Sequence, residues 1–166
     1  MLKDIVSAHR AGFVPGAATE LRAQRNITRR AVLQAGNLVQ NQRADVQGVG
    51  ARVYQDGVYG FASAADVSDD AVRAVLKNAT DNAAFLARHA GRGVGALPGL
   101  LQEVRTADNA VNDLPQKAYI DYLKALDQYI KDKYPKLESR TLVAYHDSME
   151  KLLSTSDGLS SHTLQP

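Results

Sequence analysis

Four histidines are the side chains best suited to metal or acid–base chemistry in this sequence: His9, His89, His146 and His162. A zinc peptidase needs two imidazoles on one helix face and a nearby carboxylate that activates the bound water. The four histidines are far apart in sequence, and neither an HExxH nor an HExxxH string occurs. We therefore interpret them as isolated surface side chains. The sequence predicts no catalytic, cofactor-binding or metal-binding residue in this chain.

The run His146-Asp147-Ser148 contains the three residue types of a hydrolytic triad. Neighbours on an extended segment point to opposite faces, and triads are assembled from distant segments. We therefore expect this run to form a turn between two strands and not a catalytic site.

Five arginines surround the first predicted hairpin and raise the question of a basic patch. Long polar side chains also fill exposed strand positions and discourage edge-to-edge pairing, which is a competing explanation. Interleaved aromatic residues for base stacking are missing from this part of the sequence, so the pattern argues against nucleic-acid binding. The five are Arg22, Arg25, Arg29, Arg30 and Arg43.

Glycines and tyrosines give two further patterns without a clear site. The glycines of GVGARV (residues 48–53) and GVYGFAS (residues 57–63) do not match a dinucleotide or P-loop fingerprint, which requires a strand, a Gly-rich turn and then a helix. Gly60, inside a predicted strand, indicates a bulge or a close approach of another backbone. The tyrosines near the second long helix are interpreted as packing residues with hydrated hydroxyls: Tyr119, Tyr122, Tyr129 and Tyr134.

Composition limits the class of protein. The 166 residues suit one domain or two small lobes, and 45% hydrophobic with 23% charged residues is typical of a globular chain. The formal charge of +2 is too small to indicate nucleic-acid binding, and the lack of cysteine excludes disulfides and thiolate chemistry. No apolar run approaches the roughly 18 residues needed to span a bilayer. We expect a cytoplasmic protein without a membrane partner.

Apolar–polar alternation predicts that strands dominate the first third of the chain. A short helix over residues 2–10 ends near Gly12 and Pro15. Asp56-Gly57 supplies the positive φ angles of a tight hairpin turn, and Ala35-Gly36-Asn37 predicts another turn. The result is an antiparallel meander of four or five strands between residues 19 and 62.

Two amphipathic helices follow the meander. Ser68 stands at the N-cap of the first, and Asp69 and Asp70 place negative charge in its first turn. That helix ends near Gly91, and its apolar stripe comprises Val72, Val75, Leu76, Ala79, Ala83 and Leu86. The second helix is predicted from about residue 113 to residue 134, with Tyr119, Leu123, Leu126 and Ile130 as its stripe.

These elements predict an α+β fold in which an antiparallel β-meander packs against two main amphipathic helices. Beyond the second helix, we expect strands over residues 137–145 and 150–154, followed by a turn at Ser156-Asp157-Gly158. The chain is interpreted as a single domain over residues 1–166. It has a first lobe at 1–90, a Gly-rich connection at 91–112 and a helix–strand segment at 113–166.

The segment GVGARVYQDGVYGFASAADVSDDAV (residues 48–72) resembles the N-terminal domain of the TldD/PmbA family, also called modulators of DNA gyrase. Similar blocks lie on both sides in the family's order. They are ELRAQRNITRRAVLQAGNLVQ before it, and the Ala-rich helix and YIDYLKALDQYIKDKYPKLESRTLVAYHDSMEKLLSTSDG after it. The resemblance extends from about residue 19 to residue 158.

The resemblance implies a zinc metallopeptidase that cleaves unfolded peptides or matures a peptide precursor. The family's zinc-binding HExxxH helix follows the region seen here, so no zinc ligand maps onto this sequence, and we expect the chain alone to be inactive. Zinc is expected in the full-length family member. The implied partners are the family's C-terminal domain, a homo- or hetero-dimer subunit and an unfolded peptide. An exposed strand edge of the meander would accept that peptide by main-chain pairing.

Two other functions stay open at this point. One is a free-standing protein-interaction module from the zinc-free branch of the family. The other, less favoured, is a nucleic-acid-associated regulator, which would require salt-dependent DNA binding.

Overall fold

A mixed sheet of six strands with helices forms an α+β fold, which confirms the predicted fold class. The computed structural model describes residues 2–89, 95, 97, 102–109 and 114–165. The strand order is β3-β2-β1-β5-β6-β4. None of the helices within these residues is long and apolar enough to cross a membrane. In chain order the elements are α1 (Leu2–Ala8), a 3₁₀ turn (Arg10–Gly12), β1 (Ala18–Gln34), β2 (Asn37–Gln55), β3 (Val58–Ala64), α2 (Asp69–His89), β4 (Val104–Asp108), α3 (Gln116–Lys133), β5 (Thr141–Thr155) and β6 (Ser160–Gln165).

The meander exists, but its predicted division into four or five strands is wrong. Residues 18–64 form only three strands, because β1 runs for 17 residues and β2 for 19 without a break. Neither glycine nor proline interrupts β1. Its polar middle therefore continues the ladder, with side chains that are mostly half-buried or exposed, which an antiparallel sheet tolerates on one face.

Both predicted hairpin turns are confirmed by backbone geometry. Ala35 and Gly36 have φ angles of +50° and +84°, and Asp56 and Gly57 have +51° and +84°. Two successive positive φ angles define the type I′ turn, whose twist matches that of the flanking strands. Across the second turn, the β2–β3 register runs from Gln55 opposite Val58 to Val49 opposite Ala64.

Ala35 is the less favourable of the two residues that open these turns. Alanine in the left-handed region suffers a steric cost that asparagine and glycine avoid. Replacing Ala35 with asparagine is therefore expected to raise the free energy of unfolding by about 1 kcal/mol. The reciprocal change Asp56→Ala at the second turn should lower it by a similar amount. Urea denaturation checks whether the free energy of unfolding rises in Ala35→Asn and falls in Asp56→Ala.

The C-terminal strands depart from the sequence expectation. β5 continues through His146-Asp147-Ser148, so the predicted turn there is wrong, whereas the turn before β6 is confirmed by the positive φ of Gly158 at +108°. The alternation of half-buried and exposed side chains runs through residues 141–147 unbroken. β6 pairs in parallel with β4, from Val104 opposite Ser160 to Asp108 opposite Leu164.

β4 falls inside the predicted Gly-rich connection and was not expected from the sequence. All five of its residues are exposed, which explains why it lacks the apolar alternation that marks other strands. The rest of the predicted connection, apart from residues 95, 97, 102, 103 and 109, lies outside the described residues.

The chain divides into two compact units, each assembled from separate stretches. The first unit comprises Met1–Arg25, Val46–Asp108 and Glu150–Leu164. The second comprises Asn26–Asp45, Asn109–Met149 and Gln165–Pro166. β1, β2 and β5 each continue from one unit into the other.

The core of the first unit lies between the sheet and α2. Ser68 caps α2 as predicted, since its Oγ accepts a hydrogen bond from the Ala71 N–H at 3.3 Å. Leu86 is 38% exposed, so the predicted apolar stripe of α2 stops one turn early. The buried members of this core include Leu2, Val6, Leu21, Ala23, Val49, Ala51, Val53, Val72, Val75, Leu76, Ala79, Ala83 and Leu152.

Gly60 is the point where α2 and β3 come closest. A Cβ atom at this position would lie 2.0 Å from the Ala79 carbonyl oxygen and 2.3 Å from the Ala83 nitrogen. The predicted close backbone approach at Gly60 is therefore confirmed. A strand and a helix can meet at this distance only where neither carries a larger side chain.

A smaller core forms the second unit. Leu123 of α3 packs with Ala31 and Leu33 of β1, and Ile120, Leu142 and Ala144 close it at the sides. Asp127 takes a buried position on α3 that the predicted apolar stripe did not include. The packing interpretation is wrong for three of the four tyrosines, because Tyr122, Tyr129 and Tyr134 are 66%, 57% and 54% exposed.

Candidate peptide-binding edge

Two histidines contact carboxylates and are candidate metal ligands. His9 Nε2 lies 2.9 Å from Asp69 Oδ1, and His162 Nε2 lies 3.1 Å from Glu150 Oε1. The hydrogen bond from His9 holds the pKa of the Asp69 carboxyl below its usual value. A catalytic zinc ion needs three protein ligands, and each contact supplies two. Within the described part of the chain, no group of three or more His, Cys, Asp or Glu side chains could hold a metal, so these residues do not fit a zinc site.

The other two histidines have local partners of a different kind. The His89 ring bonds through Nδ1 to the Phe85 carbonyl oxygen at 2.8 Å and stacks on the Phe85 ring at 4.1 Å. The His146 ring lies 5.9 Å from the Tyr119 ring.

Asp147 is directed away from His146. Its Oδ1 accepts a hydrogen bond from Thr28 Oγ1 at 2.8 Å, on β1. Successive residues of β5 thus use opposite faces of the sheet, as expected for a strand. The arrangement argues against a triad built from His146, Asp147 and Ser148.

The predicted arginine cluster does not form one free basic surface. Arg22 and Arg25 belong to the first unit, and Arg29, Arg30 and Arg43 to the second. Arg29 is buried. Arg22 donates a 2.9 Å hydrogen bond to Glu20, and Arg43 lies 3.9 Å from Asp45.

A groove of about 270 Å³ lies beside α2 in the first unit. Each cation on its wall has an acidic partner: Arg73 contacts Asp70 and Lys77 contacts Asp81, both at 2.6 Å. Because these charges offset one another, the groove does not select an anionic ligand. Its lining residues are His9, Gly12, Val14, Arg73, Leu76, Lys77, Thr80 and Asp81.

The remaining candidates for a binding site are the open edges of strands. The edge of β3 is partly occupied. β3 is the first strand in the sheet order, so one of its edges faces no strand among the described residues. Asn82 of α2 donates a 2.9 Å hydrogen bond from Nδ2 to the carbonyl oxygen of Phe61 on this strand. A side chain that satisfies an edge carbonyl reduces the pairing capacity of that edge.

β2 presents a longer open edge. β3 covers only Val49–Gln55 of β2, and residues 37–45 extend beyond it. We call residues 37–45 the β2 edge. On the side away from β1, no strand of the described structure pairs with it. The β2 edge contains no proline. Its two charged side chains, Arg43 and Asp45, offset each other, since a guanidinium nitrogen of Arg43 lies 3.9 Å from Asp45 Oδ2.

The side chains of the β2 edge favour contact with another chain. Leu38 and Val39 are 41% and 57% exposed, which is unusual for large aliphatic residues on an edge strand. Unpaired backbone groups together with exposed apolar side chains are the features by which a sheet accepts an extended peptide.

Asp127 and Arg140 hold the start of the β2 edge in place. Arg140 donates from Nε to Asp127 Oδ1 at 2.6 Å and from a terminal nitrogen to Oδ2 at 3.0 Å. The Gly36 N–H also bonds to the Asp127 carboxylate, and the Ala35 N–H donates to the Arg140 carbonyl oxygen at 3.0 Å. The Arg140 guanidinium is the main cause that lowers the pKa of Asp127. The hairpin turn is therefore fixed to α3 and to the start of β5.

A second contact fixes the middle of the β2 edge. Gln116, the first residue of α3, donates from Nε2 to Asn41 Oδ1 at 2.7 Å. The edge is thus supported at two points by α3. The same Gln116 nitrogen lies 3.5 Å from the Gln42 carbonyl oxygen, so this carbonyl group of the edge already has a partner.

The sequence analysis predicted an open edge of the meander without assigning it to a strand. Edge status depends on which strands become neighbours, and a pattern of side chains along one strand does not report this. A signal for Asp127 was present: it lies four residues after Leu123, where the apolar stripe of α3 continues.

Comparisons with known proteins find one family model and several solved structures that resemble this chain. Residues 19–83 match the model described as PmbA/TldA metallopeptidase domain 1. TldE from Thermococcus kodakarensis shares the fold with a TM-score of 0.68 at 13% identity, over 98% of this chain and 36% of that chain. A protein described as a modulator of a DNA gyrase from Thermotoga maritima gives 0.66 at 15% identity, over 99% of this chain and 36% of that chain.

A second protein described as a modulator of DNA gyrase, from Bacteroides thetaiotaomicron, gives a TM-score of 0.62 at 19% identity, over 98% of this chain and 38% of that chain. This chain therefore spans little more than a third of the length of these solved structures. At such identities the likeness shows the fold. No curated protein matches the sequence significantly.

Proposed function

Since the chain carries the N-terminal domain of the TldD/PmbA family, we propose that it is a non-catalytic, peptide-receiving part of a zinc metallopeptidase. In this proposal an unfolded peptide adds to the β2 edge as an extra strand. The observation that supports it is that residues 37–45 of β2 extend beyond the part of the strand that β3 covers.

Main-chain pairing suits a peptidase that acts on unfolded chains or matures precursors. The hydrogen bonds of an added strand involve backbone groups, which every peptide has, so the edge accepts many sequences. Leu38 and Val39 add apolar contact at the turn end of the edge. Most backbone groups of a folded protein are already hydrogen-bonded, so the edge favours unfolded substrates.

Cleavage is assigned in this proposal to another part of the enzyme. The histidine–carboxylate contacts of the described residues supply two ligands each, which is too few for catalytic zinc. The zinc ligands would belong to the C-terminal domain of a full-length member or to a homo- or hetero-dimer subunit. We place the protein's action in the cytoplasm as part of the same proposal.

Peptide binding by the 166-residue chain tests the proposal. An unstructured, fluorescently labelled peptide should bind and shift the backbone amide NMR signals of residues 37–45. The change Val39→Lys should weaken binding about tenfold, because an edge lysine opposes strand addition. Val143→Lys is the control: Val143 is 53% exposed on β5, outside the β2 edge, and its change should leave binding unaltered.

A peptide with a modified backbone distinguishes binding by main-chain pairing from binding by side-chain recognition. A peptide with N-methylated backbone amides cannot donate the ladder hydrogen bonds, and its binding should be lost. Equal binding of the methylated and unmethylated peptides would show that the edge does not act by strand addition.

The alternative function is a free-standing interaction module of the zinc-free branch. The same β2 edge would then pair with a strand of a protein partner. A zinc-dependent peptidase activity that appears only when the chain is combined with a zinc-containing family subunit supports the metallopeptidase role. A stable partner complex without cleavage supports the module.

A further inference from the structure

A second surface of the first unit carries aromatic and cationic side chains on two neighbouring strands. On β2 and β3, Tyr54 lies opposite Tyr59 and Arg52 lies opposite Phe61. Tyr59 and Phe61 are 44% and 61% exposed. They alternate with buried Gly60, so they project from the sheet face that α2 does not cover. We call Arg52, Tyr54, Tyr59 and Phe61 the aromatic face.

Two arginine side chains, Arg52 and Arg22, give the aromatic face positive charge. The Arg52 guanidinium lies 5.2 Å from the centre of the Tyr59 ring and donates to Glu20 Oε1 at 2.6 Å. Arg22 donates to Glu20 Oε2 at 2.9 Å. Two guanidinium groups thus share one carboxylate, which leaves the cluster with a net positive charge.

Tyr59 and Phe61 are the exposed rings of the aromatic face, because the Tyr54 hydroxyl donates a 2.5 Å hydrogen bond to the Gly95 carbonyl oxygen. Gly50 belongs to the next row of β2, and a Cβ atom there would lie 3.6 Å from the Phe61 ring. Glycine therefore leaves the rim of the Phe61 ring uncovered on that side. Tyr59 and Phe61 are two residues apart on one strand, which separates their side chains by about 7 Å.

We propose that the aromatic face binds single-stranded nucleic acid, with bases stacked on Phe61 and Tyr59 and phosphates bound by Arg52 and Arg22. Every base has a flat π-face, so successive exposed rings on an open sheet accept a strand of many sequences. Guanidinium groups beside the rings supply the electrostatic attraction that phosphates require.

The size of the surface favours nucleic acid over a protein partner. A stable protein interface buries roughly 800 Å² on each side and has an apolar centre. Two exposed rings at the edge of a sheet offer a small part of that area. Base stacking requires only one ring for each base, so the same two rings suffice.

This inference reverses an expectation from the sequence. The argument against nucleic-acid binding was that no aromatic residues interleave with the five arginines around the first hairpin. The pairing of β2 with β3 places Tyr54, Tyr59 and Phe61 beside Arg52, an arginine that is not one of those five. The aromatic face belongs to the first unit and the β2 edge to the second, so the two proposals stand independently.

Fluorescence anisotropy with oligothymidylate and oligouridylate of about ten nucleotides tests the proposal. Binding is expected and should weaken steeply between about 50 and 200 mM salt. Phe61→Ala and Tyr59→Ala should each lower the affinity about tenfold. Arg22→Gln should lower the slope of log affinity against log salt by about one. Tyr129→Ala, which removes a 57% exposed ring from α3, should have no effect.

The readouts also identify a wrong assignment. Thermal melting of each variant shows whether it folds, and Phe61→Leu, which keeps apolar bulk but lacks a ring, should still lose binding. Absence of salt-dependent binding, or equal affinities of the wild type and Phe61→Ala, overturns the proposal. An acidic peptide that binds through Phe61 when neither oligonucleotide binds would identify the face as a protein-docking surface instead.

Discussion

Replacing Gly60 with alanine is expected to lower the free energy of unfolding by about 3 kcal/mol. The added Cβ would lie 2.0 Å from one backbone atom of α2 and 2.3 Å from another. No rotamer change can relieve these contacts, because both partners are main-chain atoms. The helix must move away from β3, which loosens the buried contacts of Ala79 and Ala83. Urea denaturation followed by circular dichroism measures the loss.

Gly50→Ala is the matched control for this change. Gly50 also lies within a strand, but a Cβ atom there would make only ordinary van der Waals contact, at 3.6 Å from the Phe61 ring. Because alanine restricts the unfolded chain more than glycine does, this variant should be neutral or more stable by up to about 1 kcal/mol. Equal losses in the two variants would mean that the contact of β3 with α2 is not the cause.

The second large effect is expected at Asp127. Its carboxylate is 8% exposed and binds the Arg140 guanidinium through two hydrogen bonds. Asp127→Ala removes the acceptor and leaves a mostly buried cation, which is more costly than the loss of a hydrogen bond alone. The variant also frees the Gly36 N–H, so the hairpin turn loses its support. We expect a lower melting temperature and weaker peptide binding at the β2 edge.

An exposed ion pair on the same helix provides the comparison. Lys117 and Asp121 are four residues apart on α3 and are 82% and 53% exposed. Solvent screens such a pair, so Asp121→Ala should barely change the melting temperature. If Asp121→Ala and Asp127→Ala have the same melting temperature, the ion pair between Asp127 and Arg140 does not stabilise the second unit.

Acid is expected to destabilise the protein by protonating the Asp127 carboxylate. The pKa of Asp127 is lowered in the folded state, chiefly by the hydrogen bonds from Arg140. Its contribution to stability is therefore fully present above the unfolded-state pKa of about 3.9 and is lost as the pH falls through the folded-state value. Asp127→Asn should be less stable than the wild type at neutral pH and should approach it in strong acid. Chemical denaturation at a series of pH values measures this convergence.

Local rules predicted the parts of the fold that depend on neighbouring residues in the sequence. The turn at Asp56-Gly57 follows from the preference of Asp-Gly for positive φ angles, and Gly36 indicated the other turn. α2 follows from its cap and its apolar spacing. The Gly60 contact was also visible, because glycine inside a strand commonly marks a close approach.

Features that depend on distant residues were missed. The length of β1 and β2 is maintained by pairing with other strands, so their polar middles do not break. β4 has no buried residue and is a strand only because β6 lies beside it. The β2 edge, the bond between Asp127 and Arg140, and the aromatic face all need the three-dimensional neighbours before they can be recognised.

The continuity of β1, β2 and β5 through both units limits how this fold can be divided or recombined. Each unit draws on three separate stretches of chain, so no single cut releases one unit whole. A truncation at residue 25 or 45 would interrupt a strand in the middle of its hydrogen-bond ladder. Insertions and exchanges between homologues should therefore be tolerated at the tight turns and not at the unit boundaries.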